Sequence, residues 1–277
     1  MAAPLAPGRG PRGEKAASAL RAGRGDSAGR CDSGRVPRGL FVVIEGIDGA
    51  GKTTAAQVAA DCLRSRGRQA VAVVRGDAAR CPAYVAGHMA ALRELIWGEP
   101  PDAPYLDLGD EHWVHLQAAW YAAFARCVVL PAVAGGAIVL ADTWGYKFLA
   151  KLALRPLARV SFEAAWNVFQ AILQPDVVVH LHADPAVAAA RKPSFSGSET
   201  GNREGVPELS AAAFAHYQRS LAEVLESFAG QGGWACVDAS SFGVAEAGSA
   251  VAGIAERCLH EILASKDRAD ADADVAG

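Results

Sequence analysis

The chain has few of the residues that staple or metallate a small fold. Its six cysteines (Cys31, Cys62, Cys81, Cys127, Cys236 and Cys258) are scattered singly through 277 residues. They form no C-x-x-C pair and no Cys/His ligand spacing. That excludes a disulfide framework or structural zinc as the organising device and predicts reduced thiols in a cytoplasmic protein. His112 and His115 have no third ligand in view. An excess of one charge is also lacking. A net charge of −3 gives no bulk electrostatic case for nucleic acid or a membrane surface. No run of about 18 apolar residues is free of charges and helix breakers, so the sequence predicts no membrane span. What the chain does have is apolar material, 51% of its residues, enough for a large core.

Residues 1–38 lack large apolar side chains and carry eight basic residues against three acidic ones. Such a segment cannot repay its ordering entropy, so it reads as a disordered basic extension. It lacks the apolar core of a signal peptide. Residues 266–277, rich in Asp and Ala, read as a disordered acidic tail. The folded unit is then 39–265, the size of one α/β domain.

Residues 41–54, Phe-Val-Val-Ile-Glu-Gly-Ile-Asp-Gly-Ala-Gly-Lys-Thr-Thr, run an apolar strand into G-x-x-x-x-G-K-T. Glycines there allow a tight turn with bare backbone N–H groups, and the following helix N-terminus adds to them. Together they suit a di- or triphosphate. The predicted ATP-binding set is Gly46, Gly49, Ala50, Gly51, Lys52, Thr53 and Thr54. Lys52 would reach the β- and γ-phosphates, and the Thr53 hydroxyl would ligate Mg²⁺. A loop that binds a nucleotide without catalysing transfer fits the same residues.

Downstream, short apolar runs at 69–74, 137–141, 177–181 and 234–237 read as buried strands. Between them lie helical patterns at 51–66, 83–97, 111–133, 145–153, 161–173 and 214–228, and a last one at 251–262. Asp184-Pro185 is a helix start. Residues 193–207, rich in Ser, Gly, Pro and charge, read as a mobile loop. The expected fold is α/β: a P-loop NTPase with a five-stranded parallel sheet, helices on both faces and a lid loop.

Four segments together resemble the thymidylate kinases, within the P-loop nucleoside-monophosphate kinases: residues 43–54, 130–142, 174–192 and 237–240. The resemblance covers about Leu40 to Leu263. It implies ATP and Mg²⁺, a nucleoside monophosphate as phosphoryl acceptor, a cytoplasmic enzyme, and a homodimer through the helices at 83–97 and 111–133. It implies acceptor-sugar contact for Asp48, and an Mg²⁺ or acceptor role for Asp142. It implies acceptor-phosphate contact for Arg93. Because Ala50 leaves the phosphate loop without arginine, it implies catalytic charge from the lid, at Arg191 or Arg203. Trp120, Tyr121 and Phe124 become candidates for stacking on the acceptor base, and Lys147 and Lys151 candidate substitutes for a lost arginine. Each also has a plain reading: helix cap, core aromatic or wet helix face.

The departures from the family lie in the acceptor half. Asp142 is followed by Thr143 where the family has arginine. Tyr121 stands where the long helix of the family carries arginine. Arg75-Gly76-Asp77-Ala78 replaces the family's Glu-Pro-Gly-Gly. A modified pyrimidine nucleotide, or another small phosphorylated molecule, is therefore an alternative acceptor.

Overall fold

The computed structural model describes residues 39–98, 105–155, 160–202 and 208–276. The N-terminal extension and Arg203 lie outside the described residues. Strand β1 (Leu40–Glu45) is a run of apolar residues ending in glutamate, and all six are buried. Such a run suits a central strand covered on both faces. It pairs in parallel with β3 (Ile138–Ala141) on one side and β4 (Val177–His182) on the other. β2 (Ala70–Val73) and β5 (Ala235–Asp238) complete the order β2-β3-β1-β4-β5, all parallel. The chain leaves β1 at the point where strand order reverses, which is where ligands lodge in open parallel sheets.

The phosphate-loop helix α1 (Lys52–Ser65) packs under the sheet beside the last helix, α10 (Val244–Ala276). Their contact is close at Gly248, where an added Cβ would lie 2.5 Å from Val58 Cβ. Helix α10 continues through the acidic tail that composition marks as disordered. On the other side stand α2 (Ala83–Trp97), α3 (Gly109–Phe124), α5 (Gly145–Leu154), α6 (Phe162–Gln170) and α9 (Ala211–Gly232). Helix α7 (Pro185–Ala190) starts where Asp184 predicts: its carboxylate accepts from the N–H groups of Ala186 and Val187.

The long helix at 111–133 is interrupted. After α3 comes a π turn over Ala125–Val129, then α4 (Leu130–Ala134). Pro131 has no N–H to give to the carbonyl four residues back, which is that of Cys127. The Cys127 carbonyl instead accepts from the Cys81 thiol at 3.7 Å, and Leu130 N–H bonds back to Ala125. A π turn absorbs this mismatch. Among the described residues, Gly109–Ala134 is long and apolar enough to cross a membrane by length and composition, which the sequence expectation did not anticipate. It packs against α2 and α6 and sends Trp113, Trp120 and Phe124 into the core, as a domain helix does.

The predicted loop 193–207 also holds structure. Gly197–Thr200 forms a single helical turn, α8, closed by a capping box between Ser196 and Glu199. The spacing S-x-x-E is its sequence signature.

The α1–α10 contact predicts that Gly248→Val destabilises the domain by about 1–3 kcal/mol through overpacking against Val58. Urea unfolding of both proteins measures it. A midpoint unchanged from the parent would mean that the helices separate freely there.

Candidate active site

Gly46 brings the backbone leaving β1 against β4. A Cβ there would lie 2.5 Å from the Leu181 carbonyl oxygen. Gly49 turns at φ +79, with the Ala188 carbonyl 2.7 Å from where its Cβ would be. Both positions therefore need glycine. The loop closes when the Lys52 ammonium donates to the Ile47 carbonyl at 2.6 Å. Burial lowers the Lys52 pKa to about 8, with Lys147 adding to the effect and Asp48, Glu45 and Asp142 opposing it. The Thr53 hydroxyl donates to Asp142 at 2.6 Å, so two hard oxygen groups sit side by side at the helix start. Ala50 is buried, and Thr54 borders the nearby cleft.

Two clefts open around this loop. One, of about 540 Å³, is bordered by Gly49, Gly51, Lys52, Thr53, Thr54, Asp142, Arg191 and Lys192. The other, of about 580 Å³, extends between α3 and α5, under the Ser196–Glu199 segment. They meet at Asp48, Arg75, Thr143, Lys147 and Glu199, which border both.

Asp48 is the most heavily bonded group at the junction. Its carboxylate is paired with Lys147 and lies 3.8 Å from Lys151 Nζ. Burial works to raise its pKa, but Lys147, Lys151 and Lys52 outweigh it and hold the group well below the usual carboxylate range. Gln218, fully buried on α9, fixes it further. Its oxygen accepts from Asp48 N–H at 2.9 Å, while its amide donates to Asp48 Oδ2 at 3.3 Å and to the Glu199 carbonyl at 2.8 Å. Lys151 also donates to the Ser198 carbonyl, and Lys192 to the Glu199 carboxylate at 2.9 Å. The α8 turn is thus tied to the phosphate loop through Asp48.

Glu45 ends β1 in full burial. It accepts from Trp144 N–H at 2.7 Å and from the Thr143 hydroxyl at 3.2 Å. Thr143 and Trp144 thus supply the glutamate with donors. Burial raises the Glu45 pKa from its ordinary 4.5 to about 7, against the lowering effects of Trp144, Lys52, Lys147 and Thr143.

The other sequence candidates divide. Tyr121 borders the second cleft between Trp144 and Phe169, and burial pushes its phenol above the ordinary range. Trp120 does not border it: it is 2% exposed, stacked on Phe124 and edge-on to Trp97, and is a core residue. Arg93 is exposed on α2 and borders neither cleft, because its helix turns it outward. Arg191 borders the first cleft and donates to the Ala239 carbonyl at 2.9 Å beyond β5. Lys147 borders both clefts but is engaged by Asp48. Among the described residues no group of three His, Cys, Asp or Glu forms a metal cage.

Three groups were not picked out by sequence reasoning. Arg75 lies over the Trp97 ring, 4.2 Å from its centroid, and borders both clefts. Arg155 is 5% exposed and ion-paired with Asp110 at the far end of the second cleft. Gln218 is the third. Arg75 follows β2 directly, so its place in the topology was a usable signal. Gln218 and Arg155 carry no local signal, since their partners are distant in sequence.

A phosphate loop leaving the central strand of this five-stranded parallel sheet defines a P-loop NTPase fold, here with a second cleft beside the phosphate site. No family model matches the chain. It is 33% identical over 172 residues to a thymidylate kinase of Geobacter sulfurreducens, covering 60% of this chain and 73% of that one. It is 32% identical over 160 residues to a thymidylate kinase of Burkholderia thailandensis, covering 56% and 71%. The chain belongs to the thymidylate kinase family, and so to the nucleotide-phosphorylating kinases.

Glu45 generates a pH dependence. Between about pH 4.5 and 7 the folded chain keeps a proton that the unfolded chain has released. Raising pH through that window therefore weakens the fold. Glu45→Gln should remove this slope, so its melting temperature gains on the wild type as pH rises from 4.5 to 8. Parallel melting curves would mean that Glu45 is already ionised at the low end.

Proposed function

We propose that the protein transfers the γ-phosphoryl group of ATP to a nucleoside monophosphate, giving ADP and the nucleoside diphosphate. The observation that carries this is the meeting of two clefts at the phosphate loop, with Arg75 bordering both. The first cleft takes ATP, its phosphates on the loop N–H groups and Lys52. The second takes the acceptor, its phosphate toward Arg75. An acceptor phosphate oxygen attacks the γ-phosphorus in line as the bond to the β–γ bridging oxygen breaks. No covalent enzyme intermediate is involved, and catalysis is positioning and charge stabilisation.

The adjacent Thr53 hydroxyl and Asp142 carboxylate suit a hard divalent cation that draws its remaining ligands from phosphate and water. Mg²⁺ held there supplies neutralisation of the β- and γ-phosphate charge. Arg191 and Lys192 bring lid charge to the first cleft. Arg75 replaces, from a different strand, the phosphate grip of the arginine absent at Thr143. Its fork geometry suits two phosphate oxygens. A homodimer through α2 and α3 is consistent with Tyr84 and Leu95, exposed apolar side chains on α2.

ATP–Mg²⁺ turnover against a panel of nucleoside monophosphates tests the reading. Lys52→Ala should lower kcat by at least about 100-fold with the fold intact. Arg75→Ala should raise the acceptor KM about 10- to 100-fold and leave the ATP KM nearly unchanged. ATP binding without acceptor-dependent turnover would overturn the proposal in favour of a non-catalytic nucleotide-binding protein. Turnover confined to an acceptor that is not a nucleotide would overturn the acceptor class.

A further inference from the structure

Helix α9 turns an apolar row into the core: Phe214, Leu221, Leu225 and Phe228 are all buried. Gln218 stands in that row, one turn from Phe214 and from Leu221, and no part of it reaches solvent. A leucine would fill such a place without the cost of burying a carboxamide. The carboxamide there is engaged at both ends. Its oxygen accepts from the Asp48 N–H at 2.9 Å, and its amide donates to Asp48 Oδ2 at 3.3 Å and to the Glu199 carbonyl at 2.8 Å.

Both partners border the two clefts. Asp48 belongs to the phosphate loop, and Glu199 to the α8 turn over the second cleft. That turn lies against α9 beside the carboxamide. Thr200 is fully buried, and a Cβ on Gly201 would lie 2.6 Å from Tyr217 Cδ2. From the other side, the Lys151 ammonium donates to the Ser198 carbonyl at 2.5 Å. The Glu199 carboxylate faces the first cleft through Lys192 and accepts from the Ser196 N–H. Gln218 is therefore bonded to the turn and to the loop at once. It also holds the backbone N–H and the carboxylate of the same aspartate, which fixes the torsion between them.

We propose that Gln218 is a positioning residue for phosphoryl transfer: its carboxamide latches the α8 turn to the phosphate loop and holds Asp48 in the direction that meets the acceptor. This rests on the reading that the second cleft takes the acceptor. Gln218 itself borders neither cleft, so it acts through Asp48 and Glu199 and touches no substrate. Its loss is felt by the acceptor, while the loop glycines and Lys52 still hold ATP.

The experiment compares the full chain with Gln218→Met and Gln218→Glu, each below its melting midpoint. Methionine keeps length and bulk without either bond. Ionised glutamate keeps the shape and an oxygen for the Asp48 N–H but has no N–H to give. Hydrogen exchange at the amides of Glu199, Thr200 and Gly201, which close the α8 turn, reads the latch without substrate. Exchange there should be about tenfold faster in both variants, a larger change than any in β1. With thymidine monophosphate as acceptor, kcat/KM should fall about tenfold or more, and the calorimetric Kd of ATP should stay within about threefold of the wild type. Equal exchange at the turn in all three proteins would overturn the latch. A faster turn with unchanged kcat/KM, or with ATP affinity lost in the same proportion, would overturn the positioning role. If the wild type turns over no nucleoside monophosphate, the transfer reading falls alone, and the exchange rates still decide the latch. If Gln218→Met melts below the assay temperature, the isosteric Gln218→Glu decides both points.

Discussion

The carboxylate of Asp48 is the constraint on which the rest of the site depends. It projects from the phosphate loop into the seam between two clefts, where an isolated charge would be expensive. Lys147 and Lys151 neutralise it from one helix, and Gln218 hydrogen-bonds it from another. Those bonds fix more than the carboxylate. Through Gln218 and Lys151 the same group holds the α8 turn over the second cleft. The phosphate loop and the roof of the second cleft are thus joined through one carboxylate. Two cations face one carboxylate, and the Lys151 ammonium is shared with the Ser198 carbonyl. Phosphate arriving at the junction meets a surface that is already slightly positive.

The sheet could be read from sequence because it is buried on both faces. The apolar runs of β1, β3 and β4 leave no alternation to confuse strand with surface helix, and the helices between them dictate parallel pairing. The phosphate loop and the Asp184 cap are local patterns with fixed spacing, and both stand where they were read. What failed is equally physical. Arg93 and Trp120 share helices with cleft residues but lie on other faces, and one residue of helix rotation moves a side chain by about 100°. The π turn changes the facing of everything beyond Phe124, although Pro131 announced a disturbance. Gln218 meets Asp48 across 170 positions, a separation at which spacing carries no information.

The second cleft has Thr143 at the exit of β3, and the structure shows how the buried glutamate beside it is satisfied. A buried glutamate with no arginine facing it needs other hydrogen-bond donors. Here the threonine hydroxyl and the Trp144 N–H take up the glutamate, and burial holds a large share of it protonated near neutral pH. The buried anion is thereby partly removed.

Positive charge stands instead at the exit of β2. Arg75 rests on the Trp97 ring, and among the described residues it has no carboxylate partner. An arginine bound to a carboxylate must give up that partner before it can grip a phosphate, whereas one laid on an indole keeps its N–H fork available. Lys147 and Lys151, by contrast, are committed to Asp48 and serve to position it. If Arg75 is the phosphate anchor, the anchor has moved from the strand β3 exit to the strand β2 exit, across the mouth of the cleft.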